Sequence, residues 1–168
     1  MQHLFTPWRF AYITGETTPK DGSCVFCGKR HGTPESDAAA LIIGRSEYVY
    51  VMLNLYPYSS GHLMVVPYEH VATQEEMPVE ALTDIMLTAN KALGVLRKVY
   101  NPHAFNLGVN LGAAAGAGIA AHYHFHIVPR WANDVNFMTA VGDARVIPEA
   151  MDVAHAKLRA AWEAADSP

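Results

Sequence analysis

The chain has 168 residues, 51% of them hydrophobic and 17% charged, which suits one folded domain with a real core and excludes a disordered chain. Its net charge is −4 and no segment is a run of Lys and Arg, which argues against a long nucleic acid as partner but not against a small phosphate ligand held by backbone amides and imidazoles. No apolar run approaches the roughly 20 residues that span a bilayer, and residues 1–10 lack the basic-then-apolar order of a signal peptide, so a cytoplasmic protein without a membrane partner is expected.

In chain order, Trp8, Phe10 and Tyr12 alternate, as core packing or an arm laid on a partner subunit would require. Residues 14–38, rich in Gly, Thr, Pro, Ser and charge, read as a loop region around Cys24 and Cys27. Residues 39–44, 48–53 and 61–67 are short runs of strand formers, the last two joined by a turn over residues 55–60. A helix is predicted over residues 78–100, with Leu82, Ile85, Met86, Ala89, Leu93 and Leu96 on one apolar stripe and Asn101-Pro102 as its stop. Phe105, Leu107 and Val109 alternate with Asn106, Gly108 and Asn110 as in a half-buried strand. A Gly/Ala loop over 111–121 leads to a strand over 122–129, and residues 148–165 form a closing helix with Met151, Leu158 and Trp162 inward. Strands flank a helix without regular βαβ alternation, so the fold class is α+β with an antiparallel sheet of about five strands.

The strand over 122–129 carries the chemistry. His122, His124 and His126 alternate with Tyr123, Phe125 and Ile127, so a period of two puts three imidazoles on one face and three apolar groups on the other. Packing, a metal site or phosphoryl-transfer catalysis could each account for that face. Packing would bury three partly polar rings together, which is rare. Neighbours one strand period apart seldom converge on one ion unaided, so catalysis is the better account.

His122-Tyr-His-Phe-His-Ile-Val128 resembles the signature of the histidine triad family, in which three histidines alternate with apolar residues. The resemblance extends to Leu53-Asn-Leu-Tyr-Pro-Tyr-Ser-Ser-Gly-His62, similar to the family's Asn before a turn and Gly-His before a strand, and covers roughly residues 39–131. Pro129-Arg-Trp131 followed by Asp134-Val-Asn-Phe137 is similar to the bacterial branch that includes diadenosine tetraphosphate phosphorylases. It implies one domain over residues 1–168, with 14–38 as the cysteine loop, 39–131 as the core and 132–168 as an extension ending in a helix. It also implies that His124 attacks the α-phosphorus of a purine mono- or dinucleotide and forms a nucleotidyl-imidazole. An imidazole attacks only when neutral, and an ordinary pKa of about 6.5 allows that at neutral pH.

By the same resemblance, His126 holds phosphate and protonates the leaving oxygen, and His62 is a further phosphate-side histidine. Asn54 would hold the ribose hydroxyls, and Asn110 and the loop ending at Gly118 the phosphates. Gly118 departs from relatives that carry a Gln or hydroxyl residue there, while His126, being His and not Gln, speaks against the sugar-nucleotide transferase branch. Trp131 would border the nucleotide, or simply cap the strand. The cysteine pair has metal-ligand spacing but needs two more ligands for a closed zinc site. The resemblance implies structural zinc on Cys24, Cys27, His70 and His122. His31 is a rival ligand on spacing, and a redox pair or unmetallated thiols are the other readings. A homodimer through the long helix and adjoining strand is implied, and Mg2+ at the phosphates is left open. Hydrolysis of adenylated amines or AMP conjugates, and a non-catalytic nucleotide sensor, stand as alternative functions.

Overall fold

A computed structural model describes residues 23–132, 134 and 149–166. The expectations for residues 1–22 and 135–148, among them the alternating aromatics near the start and Phe137, lie outside the described residues. Five strands, β1 (Ile42–Arg45), β2 (Val49–Leu53), β3 (Leu63–Pro67), β4 (Ala104–Gly108) and β5 (Phe125–Arg130), make one sheet in the order β1-β2-β3-β5-β4. All neighbours are antiparallel, with Val51 opposite Val65, Met64 opposite His126 and Gly108 opposite His126. Helix α1 spans Pro34–Ala39, α2 spans Val79–Tyr100 and α3 spans Met151–Ala164. None of the described helices is long and apolar enough to cross a membrane.

Both faces of the sheet are buried at its centre, which is why β2 and β3 read as continuous apolar runs. Val49, Val51, Leu53, Leu63, Val65 and Ile127 face a core closed by Ala81, Ile85, Ala89, Ala92 and Leu96 of α2 and by Leu158 and Trp162 of α3. Tyr50, Met52, Met64 and Val66 point the other way and pack with Ile42 and Phe26. The small alanines of α2 let it lie close to the sheet. Met86, expected on its buried stripe, is 50% exposed, because it stands one residue, about 100° of helix, round from Ile85. The helix ends where Asn101 turns left-handed at φ 45° and its N–H bonds to the Arg97 carbonyl.

Three expectations need correction. Residues 34–39 are helical: Thr33 and Ser36 cap each other reciprocally and Pro34 opens the first turn, so β1 starts only at Ile42. β4 is a sheet edge: Phe105 and Val109 pack against the core as expected, but Leu107 is 45% exposed. The sheet pairing of β5 begins at Phe125, not His122. Upstream of it the Tyr123 N–H goes to the Val71 carbonyl (2.7 Å), so the backbone follows the turn after β3 instead of the strand. The alternation nonetheless persists: Tyr123 and Ile127 are buried toward α2, with Phe125 packed against them, while the three histidines face the other way.

Candidate active site and metal centre

The histidine segment crosses two clusters. At its start His122 meets the cysteine loop. Cys24 Sγ lies 3.3 Å from His122 Nδ1, and Cys27 Sγ lies 3.2 Å from His70 Nδ1 and 3.6 Å from His122 Nδ1. All four ligand atoms stand within 4.8 Å of one another. Zinc with bonds of about 2.3 Å to sulfur and 2.0–2.1 Å to nitrogen sets tetrahedral neighbours roughly 3.3–3.8 Å apart, so the four groups fit such an ion. The tautomer fits as well: His122 Nε2 donates to the Pro67 carbonyl (3.0 Å), which leaves the Nδ1 lone pair toward the cluster. Burial first, and neighbouring groups after it, pull His122 down to about 4, while burial and Cys24 push the Cys27 thiol up. A divalent cation reverses the penalty on the thiolates and suits a neutral imidazole. His31, the rival on spacing, is exposed and is not in the cluster.

Two residues on, His124 turns its Nδ1 to the His122 carbonyl, 2.8 Å away. A carbonyl can only accept, so Nδ1 carries the proton and Nε2 holds the lone pair. The ring is buried, and burial lowers its pKa from the ordinary value. Burial thus favours the neutral ring, and the lone pair lies on Nε2.

A chain of bonds fixes the state of His126. The Tyr58 N–H donates to His62 Nδ1 (3.0 Å), so His62 Nε2 carries the proton and donates to His126 Nδ1 (2.9 Å). His126 therefore presents Nε2–H as a donor. Burial, with a smaller contribution from His124, pulls His126 down to about 4, so it is neutral at pH 7. The rings of His124 and His126 meet edge to face at 4.9 Å, and Tyr58 stacks over His126 at 6.0 Å.

The other expected residues are placed unevenly. Asn54 belongs to this corner: its Nδ2 lies 3.4 Å from His62 Nδ1, while its Oδ1 accepts the Tyr56 N–H (2.9 Å) in a local turn. Asn110 stands two residues beyond Gly108, the partner of His126 across the sheet. Gly112 and Gly116 need to be glycine, at φ 82° and 90°. Gly118 is exposed and a Cβ there would meet nothing within 4 Å. Trp131 follows the far end of β5, five residues past His126, or about 16 Å along the strand. The structure does not bring it to the imidazoles.

Sequence reasoning missed Phe26, Tyr58 and Arg45. Arg45 on β1 donates to the carbonyls of Lys29 (2.9 Å) and Arg30 (3.0 Å) and makes a paired salt bridge to buried Asp37 (2.6 and 2.9 Å), pinning the cysteine loop to the sheet. A lone Arg in a strand carries no signal of this. For Tyr58 the signal was its place four residues before His62, in the turn that closes on it.

The five-stranded antiparallel sheet, its helices, and a Cys/His cluster beside a cluster of buried imidazoles define an α+β domain of known type. Residues 35–133 match the HIT domain family, and the chain belongs to it. Among its relatives, AP-4-A phosphorylase of Mycobacterium tuberculosis is 39% identical over 96% of this chain and 85% of its own. The asymmetrical bis(5'-nucleosyl)-tetraphosphatase of Schizosaccharomyces pombe is 33% identical over 51% of this chain and 47% of its own. Among solved structures, a Zn-bound histidine triad family protein from Mycobacterium smegmatis superposes with a TM-score of 0.68 at 27% identity, covering 86% of this chain and 96% of that one.

Proposed function

We propose that this chain cleaves dinucleoside polyphosphates, with diadenosine tetraphosphate as the reference substrate, at an α-phosphate through a nucleotidyl-His124 intermediate. The observation that carries this is the bond from His124 Nδ1 to the His122 carbonyl, which leaves the lone pair of Nε2 available for nucleophilic attack. The near full-length similarity to an AP-4-A phosphorylase supports the substrate class.

In the first step the Nε2 lone pair forms a bond to the α-phosphorus, and the bond to the bridging oxygen breaks with its electron pair, releasing ATP. In the second step an oxygen of phosphate or water attacks the same phosphorus, the N–P bond breaks, and His124 is restored. Phosphate as acceptor gives ADP, and water gives AMP. His126, neutral with Nε2–H outward, stabilises charge on the phosphoryl group and leaving oxygen as a hydrogen-bond donor. Protonation of the leaving oxygen is unnecessary, because a phosphate leaves well as an anion. Asn54 holds the ribose, and Asn110 with the amides of the loop ending at Gly118 holds the phosphate chain.

Cys24, Cys27, His70 and His122 would hold zinc, which ties the amino-terminal loop to the histidine segment. Exposed Leu107 on the edge strand and Val79, Met86 and Leu87 on the outer side of α2 support the homodimer, which sedimentation would read.

Product analysis tests the reading. ADP plus ATP formed only with phosphate means phosphorolysis, AMP plus ATP means hydrolysis, and a protein that binds the substrate without labelling His124 refutes the enzyme. EDTA in the same assay reports on Mg2+.

A further inference from the structure

Phe26 stands between the two thiols of the metal cluster, yet its side chain is directed into the protein and is only 4% exposed. Its ring lies 5.3 Å from that of His122, edge on, and 5.2 Å from that of His124, tilted by 44°. Both distances are those of interacting aromatic pairs. His124 also meets His126 at 4.9 Å, so the imidazole has two ring neighbours, Phe26 and His126.

The hydrogen bond at Nδ1 decides which nitrogen of His124 attacks, but one bond leaves the ring able to tilt about it. Close contact with two rings restricts that freedom. Phe26 is itself held tightly: its carbonyl accepts from the buried Tyr50 hydroxyl (3.0 Å), and Arg45 anchors the following carbonyls of Lys29 and Arg30. Cys24 and Cys27 bracket it with ligands to the same cluster that His122 joins.

We infer that Phe26 is a positioning residue for His124, setting the tilt of the imidazole so that Nε2 is aimed at phosphorus. The cysteine loop thereby reaches the reaction through a ring contact, in addition to the His122 carbonyl. This rests on the reading of His124 as the nucleophile.

Phe26→Leu keeps apolar bulk while removing the flat face, and is compared with the parent in three measurements on metal-replete protein. Single-turnover transfer of labelled nucleotide to His124 should slow about tenfold, a fraction of the roughly 10²-fold that a 1 Å misplacement can cost. KM for diadenosine tetraphosphate should stay within about twofold, because binding draws on many other groups. In nitrogen-15 spectra of the imidazoles, the His124 Nδ1–H signal, sharp in the parent, should broaden. A labelling rate equal to the parent's with an unchanged His124 signal overturns the inference, since Phe26 would then only fill the core. If Phe26→Leu is unfolded at the assay temperature, Phe26→Met, unbranched and equally apolar, takes the same three measurements. If the parent itself never labels, the nucleotidyl reading fails. The His124 signal in the variant then still decides whether Phe26 orients that ring.

Discussion

His122 and His124 are two residues apart, buried alike, and each spends one ring nitrogen on a backbone carbonyl. The difference is which nitrogen. His122 donates Nε2–H to Pro67 and turns Nδ1 to the thiols, whereas His124 donates Nδ1–H to His122 and keeps its lone pair on Nε2. On the proposed reading one would serve a metal and the other phosphorus, a division that the alternation alone, with both residues on one face, does not reveal. A backbone acceptor chooses the tautomer, and the tautomer chooses the chemistry. The two corners also touch, because the carbonyl that directs His124 belongs to a member of the Cys/His cluster.

The most direct way to break this comparison is His124→Ala. Turnover should fall by at least roughly 10²-fold, the lower end of what lost catalytic groups cost. Nucleotide affinity should change little, because Asn54, His62 and His126 remain. Steady-state rates and equilibrium binding check both. A variant that keeps more than about a hundredth of parental activity, above that range, excludes the covalent step.

The matching change at the other corner is Cys24→Ser. Its primary loss should be metal and stability. Elemental analysis should find about one zinc per chain in the parent, as one four-ligand site requires, and little in the variant. A ligand held at 100 times its dissociation constant contributes about 2.7 kcal/mol, and for a domain of this size that corresponds to a Tm lower by roughly 5–11 °C. Metal-free parent protein with full stability refutes the zinc assignment.

Much of this architecture was legible in sequence because it rests on periodicity. Runs of strand formers marked β2 and β3, alternation marked the imidazole face, and helical spacing marked α2. The Cys24 and Cys27 pair showed in its spacing, whereas His70 and His122 came from the family's motif, since they approach the thiols only through the fold. What stayed hidden depends on tertiary contact. The exposure of Met86 and Leu107 follows from how closely α2 lies on the sheet and from β4 being its edge. The short helix α1 was concealed by loop-like composition, although Thr33 and Ser36 carried the cap. Phe26 looked like a spacer inside the cysteine motif, and its contact with His124 joins positions 98 residues apart in the chain.

The smallest effect expected is on pH dependence, and it separates donor from acid at His126. An acid would give kcat/KM an alkaline limb, and from sequence a bell-shaped profile is expected, with His124 neutral and His126 protonated. Burial of both rings points to a different outcome on the alkaline side. Burial holds His126 near 4 and lowers His124 below its ordinary 6.5, so both shed their protons before neutrality is reached. Activity should therefore rise as pH climbs out of the acid range and then stay level, changing by less than about twofold between roughly pH 7 and 9. The acid side has a second cause, since a histidine with a depressed folded value loses stability as pH falls from about 6.5 to about 4, the unfolded chain taking up the proton first. Profiles are therefore read on protein verified as folded at each pH. His126→Asn keeps an N–H donor that cannot titrate. It should lower kcat by about tenfold through imperfect placement of that donor and leave the level region level. An alkaline limb in the parent that disappears in His126→Asn would show that His126 delivers a proton, and that substrate binding raises its pKa far above the value burial imposes.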